Sequence, residues 1–213
     1  MSNQLSLNFS QQPEITANLQ IKQFSVTDAE LILYSSCFSE VESDVIFQNL
    51  LTEINWRQDR IKFYGKEINI PRLTAWYGDS GKSYTYSNIT MNPIPWTPVL
   101  LTIKKRVEEI AKISFNSVLI NLYRDGKDSM GWHSDDEPEL GKDPIIASVS
   151  FGGVRKFRLR HRFNKTLAKV ELNLTHGSLL MMQGKTQEFW QHQIPKTAKL
   201  VMPRINLTFR VIK

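Results

Sequence analysis

From Ser117 onward the chain breaks into short β-type segments, at 117–123, 145–151, 155–162, 167–174, 178–183 and 199–212, separated by Gly, Pro, Asn or Asp. Strands this short at this spacing point to a β-sandwich or jelly roll. Ahead of them lie two helical patterns. Ser39-Glu40-Val41-Glu42 is a capping box, in which the Ser hydroxyl meets the N3 amide and the N3 carboxylate returns to the N-cap. It opens a helix through Glu53 whose apolar set is Val41, Val45, Ile46, Leu50 and Ile54. A second helix is expected from Thr97, with Pro98 at N1, to about Ile113, burying Val99, Ile103, Val107 and Ile110. Helices followed by strands give an α+β chain, the helices covering one face of a double-sheet core.

A chain of 213 residues can bury roughly 70% of its unfolded surface, enough for one core without disulfides. Cys37 is the only cysteine, which excludes an intramolecular disulfide. No apolar run approaches the ~18 residues of a membrane span, and the first residues show no secretory pattern. The expectation is a single domain over 21–213 behind a Gln-, Asn- and Ser-rich tail at 1–20, in a reducing, cytoplasmic setting without membrane association. The net charge of +6 conceals a division: residues 1–54 hold seven acids and one base, while 55–213 hold the other 26 Lys and Arg against 14 acids. Half of those 14 acids fall between Asp125 and Asp143. A field of this sign favours polyanionic partners.

Chemistry concentrates at His133-Ser134-Asp135, where residues i and i+2 of an extended segment project to one side and can grip one metal ion. A second imidazole would complete a 2-His-1-carboxylate set of the kind that suits non-haem Fe(II). His161, His176 and His192 are the candidates. His161 lies in a cationic segment and His176 precedes a Gly-Ser turn, so His192 is preferred. Further on, Arg204, Asn206, Thr208 and Arg210 alternate strictly with Ile205, Leu207 and Phe209. The polar face is either the exposed side of an edge strand or an inward pair of guanidiniums that requires an anion, such as the dicarboxylate 2-oxoglutarate.

His133-x-Asp135, His192 and the R-x-N-x-T-x-R run at 204–210 together resemble the AlkB family of Fe(II)/2-oxoglutarate dioxygenases. So do 121–126 (NLYRDG), 133–137 (HSDDE), 146–152 (IASVSFG), 176–182 (HGSLLMM) and 71–79 (PRLTAWYGD), so that the resemblance covers about residues 60–212. The nearest pattern is that of the nucleic-acid demethylases, homologues 2 and 3. The resemblance implies a double-stranded β-helix core over about 117–212, with a nucleotide-recognition lid at about 56–95. It implies Fe(II) held by His133, Asp135 and His192. 2-Oxoglutarate would be held by Asn121, Tyr123, Arg204, Asn206 and Arg210, with Arg204 and Tyr123 at the distal carboxylate and Arg210 near the metal. The reaction implied consumes O₂ and 2-oxoglutarate, giving succinate and CO₂, and hydroxylates an N-methyl group on a base such as 1-methyladenine or 3-methylcytosine. The hydroxymethyl product then loses formaldehyde. DNA is the expected substrate. RNA, or recognition of methylated nucleic acid without turnover, are the alternatives.

A buried metal reaches a base only if that base is unstacked or single-stranded. By resemblance Tyr64 is the wedge candidate, Tyr84 and Tyr86 line the base pocket with Tyr86 as the stacker, and Glu137 contacts an exocyclic amino group. Arg72 is a further candidate contact. In the alternating segment 155–162, Phe157 and Leu159 are expected inside, with Arg158 and Arg160 outside gripping phosphate beside Arg162. Trp56, Trp76 and Trp96 are assigned to packing. In the tail, Gln4, Leu7 and Phe9 match a Q-x-x-L-x-F peptide that looks like a bacterial sliding-clamp ligand. The expected location is cytoplasmic, and nuclear or nucleoid-associated according to host, with the chain a monomer.

Overall fold

The structure is a computed structural model describing residues 20–63, 65–81, 84–86, 89–91 and 93–213. The clamp-like peptide at Gln4, Leu7 and Phe9, and the wedge candidate Tyr64, lie outside the described residues. So do the side chains of Tyr84 and Tyr86.

The chain opens with β1 (Ile21–Val26), β2 (Ala29–Tyr34) and α1 (Glu40–Glu53). It continues through β3 (Arg60–Phe63), β4 (Lys66–Asn69), β5 (Leu73–Gly78), β6 (Tyr84–Tyr86), β7 (Ile89–Met91) and α2 (Pro98–Ala111). Next come β8 (Ser117–Tyr123), β9 (Met130–His133), β10 (Ile146–Gly152), β11 (Arg155–His161), β12 (Val170–Leu174) and β13 (Ser178–Gln183). The one-turn helix α3 (Thr186–Phe189), β14 (Trp190–Ile194) and β15 (Arg204–Arg210) complete it.

A seven-stranded antiparallel sheet, ordered β1-β2-β13-β10-β15-β8-β5, faces a four-stranded one ordered β12-β11-β14-β9. This is a jelly-roll core. Two hydrophobic clusters flank the large sheet. The outer one joins Ile46 and Leu50 of α1 and Ile103 and Val107 of α2 to Ile205, Leu207 and Phe209 of β15. The inner one fills the space between the sheets with Leu180, Met182, Phe157, Leu159 and Trp190. Each such side chain, fully buried, contributes about 1.5–3 kcal/mol.

Both helices start where their caps indicate. Ser39 Oγ accepts from the Glu42 amide at 3.3 Å, and Glu42 Oε2 accepts from the Ser39 amide at 2.9 Å. Thr97 caps α2, which stops at Ala111, two residues short of expectation, because Lys112 turns left-handed. One apolar assignment fails: Val41 is 75% exposed, and Ser43 is buried in the face instead. Ser43 can lie there because residue 177 is Gly, at φ +71°. A Cβ at that position would come within 2.4 Å of Ser43 Oγ.

β15 lies in the middle of the large sheet, between β10 and β8, and all seven of its residues are buried. The edge-strand reading of this segment is therefore excluded. The strand is shorter than the expected 199–212, since residues 195–203 form a loop, and β12 begins at Val170 rather than 167. Four further strands of the two main sheets, β1, β2, β9 and β14, lie outside the six expected segments. So does β5, which occupies the edge of the large sheet within the span assigned to the lid. Within that span, β3–β4 and β6–β7 form separate two-stranded pieces. Trp76 is buried, donating to Ser117 Oγ at 2.6 Å, and Trp56 and Trp96 pack partly buried against the outer cluster. Among the described residues no helix is long and apolar enough to cross a membrane.

Candidate metal centre and anion pocket

β9 and β14 pair so that His133 lies directly across from His192. Asp135, two residues past His133, completes a set whose ligand atoms all lie within 4.8 Å of one another. His133 Nδ1 sits 2.9 Å from the Gly131 carbonyl oxygen, which can only accept. The hydrogen bond there is donated by Nδ1, which leaves Nε2, 3.8 Å from Asp135 Oδ1, as the nitrogen that faces the rest of the set. His192 is buried with its ring stacked on Phe157 at 5.1 Å, and its Nδ1 has no partner among the described residues. Burial, reinforced by His133, pushes its pKa down to about 3 despite the opposing effect of Asp135, so the imidazole is neutral. Burial would raise the Asp135 carboxyl, but Arg210, His192 and His133 outweigh it and hold the group below the usual carboxylate range. Arg210 Nη2 donates to Asp135 Oδ1 at 2.7 Å. Two imidazoles and one carboxylate are the donor set that Fe(II) takes in a facial triad, so the residues fit the metal.

The same pocket extends between the sheets to Arg204, whose guanidinium is 1% exposed. Nη2 donates to Ser150 Oγ at 2.9 Å, and Nε and Nη1 meet no acceptor at hydrogen-bond geometry among the described residues. Burial, together with Arg155 nearby, pulls its pKa down to about 10 against the effect of Tyr123, whose ring lies 5.3 Å from the guanidinium carbon. It is still charged at neutral pH. A buried cation with unmet donors and no carboxylate partner is a site for an anion. A dicarboxylate reaching from the metal to Arg204 meets that need.

Asn121 lines this pocket, and its Oδ1 accepts from Arg72 Nε at 2.8 Å. Arg72 requires a correction: it is only 4% exposed, so it braces Asn121 from below and presents nothing to a nucleic-acid surface. Asn206 also lines the pocket, but its Nδ2 is directed to Ser148 Oγ and the Val149 carbonyl at 2.8 and 2.9 Å. Its Oδ1 accepts from Thr208 Oγ1 at 3.3 Å, and one lone pair of that oxygen is left to a ligand. Glu137 lies at the same pocket with Oε2 buried and without a partner among the described residues.

On β11 the inward residues are Arg155, Phe157, Leu159 and His161. Arg155 is buried and donates to the carbonyls of Asp125, Asp128 and Pro195, so it serves the fold. Outside, Arg158 pairs with Glu171 at 2.7 Å and Arg162 with Asp136 at 2.8 Å. Arg160 lies 4.3 Å over the Trp132 ring and donates to Gln191 Oε1. The two remaining histidines have structural partners. His161 Nδ1 accepts from the Asn164 amide at 2.8 Å, and His176 Nδ1 from the Gly152 amide at 2.7 Å. Ser148 and Ser150, which orient Asn206 and Arg204, carry no sequence signal beyond their place in a strand.

Residues 30–210 match the family model described as the 2OG-Fe(II) oxygenase superfamily. Alpha-ketoglutarate-dependent dioxygenase alkB homolog 3 of Bos taurus is 48% identical over 179 residues, covering 80% of this chain and 62% of that protein. DNA oxidative demethylase ALKBH2 of Homo sapiens is 44% identical over 188 residues, 84% of this chain and 72% of that protein. The chain thus spans less than two thirds of the length of the bovine relative. A solved structure titled "The structure of OsALKBH1" superposes with a TM-score of 0.65 at 17% identity, covering 89% of this chain and all of that one, a likeness of fold.

Proposed function

The chain belongs to the 2OG-Fe(II) oxygenase superfamily and, within it, to the AlkB family of dioxygenases, and from that premise we propose that it removes N-methyl groups from damaged bases in DNA. It is an Fe(II)- and 2-oxoglutarate-dependent enzyme that uses O₂. The observation that carries the substrate reading is the likeness, at 43–44% identity, to mammalian proteins named as DNA oxidative demethylases. Lesions of the 1-methyladenine and 3-methylcytosine type suit a pocket in which Glu137 offers an unpartnered acceptor, since both bases bear an exocyclic nitrogen donor.

His133, Asp135 and His192 would hold the metal, and Arg204, with Tyr123 beside it, would hold the far carboxylate of 2-oxoglutarate. When bound, the metal and cosubstrate supply the oxidising power for hydroxylating the methyl group. The protein's own tasks are positional. Arg210 keeps Asp135 ionised and oriented. Phe157 and Met182 line the cavity with apolar surface that limits water near the reacting atoms. Glu137 would accept from the base and fix which edge faces the metal.

The test is formaldehyde and succinate release from methylated oligonucleotides supplied with Fe(II), 2-oxoglutarate and O₂. Single-stranded and duplex DNA and RNA are compared, with His133→Ala as the control. The two products should appear in step from DNA and be absent with the variant. Formaldehyde from RNA alone would move the substrate assignment, none from any substrate would overturn demethylation, and turnover without Fe(II) would overturn the metal assignment.

A further inference from the structure

Asp135 is the one member of the metal set that no strand holds. His133 closes β9 and His192 lies within β14, whereas residues 134–137 have no regular structure. The β9–β14 ladder is itself irregular, its register shifting between His192 and Ile194. A ligand on unpaired backbone samples several positions, and each departure from coordination geometry weakens the metal.

Two hydrogen bonds from the segment 187–190 take the place of the missing ladder. Ser134 Oγ donates to the Trp190 carbonyl at 3.0 Å. The Asp135 amide donates to Gln187 Oε1 at 2.9 Å, with both groups buried. Gln187 is 1% exposed and sits on α3, and its own Nε2 rests on the weak acceptor Met182 Sδ at 3.6 Å. Its neighbour Thr186 anchors that turn, its Oγ1 accepting from the Glu30 amide at 3.0 Å and donating to the Gln183 carbonyl. Asp135 is thereby held at both ends, the carboxylate by Arg210 and the backbone by Gln187.

We propose that Gln187 is a positioning residue for the metal centre: its side-chain oxygen fixes the backbone of Asp135 and so sets the carboxylate's approach to the metal. Burying a primary amide only to fill space would be costly when an apolar side chain would do, and its one strong contact is the Asp135 amide. The inference rests on Asp135 being a metal ligand and is independent of which substrate is oxidised.

The test is titration of the metal-free protein with Mn(II), followed by calorimetry, with the fold monitored by circular dichroism. Gln187→Met preserves volume and removes the oxygen, and it should weaken Mn(II) binding about 10- to 100-fold, the usual effect of losing a group that orients a ligand. Gln187→Glu retains an oxygen acceptor and should stay close to wild type. Wild-type affinity in Gln187→Met, or equal loss in both variants, would overturn the proposal. If Gln187→Met does not fold, hydrogen exchange on the unsubstituted protein decides. The Asp135 amide should exchange slowly although it lies outside every ladder, and rapid exchange would overturn the assignment. Asp135→Ala separates the premise from the inference: if it binds Mn(II) as wild type does, the metal set itself is at fault.

Discussion

Arg204 shows how a single buried residue separates function from stability. Its charge is held away from water with two donors unmet among the described residues, which disfavours the folded state until an anion arrives. Arg204→Met should therefore leave the melting temperature of the metal-free protein unchanged or higher while raising the KM for 2-oxoglutarate by about 100-fold or more, the scale expected when a charged hydrogen-bonding partner is lost. Arg204→Lys keeps the charge without the guanidinium's planar geometry and should fall between. Succinate production against 2-oxoglutarate concentration, beside a thermal melt, reads both, and an unchanged KM in Arg204→Met would place the cosubstrate elsewhere. At this scale the His133-x-Asp135 spacing points to the pair that the structure brings together with His192, although Asp135 lies just past the end of β9 rather than on it. Arg72 is not legible. An arginine is seldom fully buried, so the sequence suggests a surface contact, and the Asn121 partner that draws it inward lies 49 residues away.

Elements announce themselves when their signals are local. The capping box is four residues long and sets the start of α1, and Thr97-Pro98 does the same for α2. β9 and β14 are different: they are four and five residues long, β9 is held at the sheet edge by β14 across a register shift, and β14 is held chiefly by β11. Trp190-Gln191-His192-Gln193-Ile194 does alternate buried with half-buried residues, but five residues are too short a run to stand out, and β9 has no such alternation. The cap of α1 also has a role between elements, because Glu42 both closes the box and pairs with Arg106 of α2 at 2.9 Å. Ser39→Ala should cost about 1 kcal/mol, a drop in melting temperature of roughly 2–4 °C for a chain this long. Glu42→Gln keeps an oxygen for the box but removes the charged partner of Arg106, and should cost about 1 kcal/mol or less at neutral pH. Burial tends to raise the Glu42 carboxyl, but Arg106 and Ser39 prevail and hold it below the usual glutamate range. Its contribution is thus complete above that range and lost as pH falls through the lower folded value. The stability gap between wild type and Glu42→Gln should narrow in urea melts as pH falls from about 7 through and below the usual glutamate range. A gap that persists at the acid end would show that shape rather than charge makes the contact.

Across the whole molecule, net charge is a weaker guide than the pairing of individual charges. Residues 55–213 carry 26 of the 27 basic side chains, and the alternation in 155–162 suggests a cationic outer face. On that face, however, Lys156 and Arg158 converge on Glu171, Arg162 pairs with Asp136, and Arg160 lies over the Trp132 ring. Such exposed pairs are weak and screened by salt, so phosphates can compete for the same cations, with the acids reducing the gain. Glu171 is the point of control, since one carboxylate engages two bases. Glu171→Gln should tighten binding of an unmethylated single-stranded oligonucleotide at low salt. It should also steepen the log–log dependence of affinity on salt by about 0.7 for each additional phosphate engaged. Arg160→Ala should weaken binding and flatten the slope. Fluorescence anisotropy over a salt series measures both variants. Slopes matching wild type in both would show that nucleic acid approaches by another face, and that the positive charge of β11 serves the sheet alone.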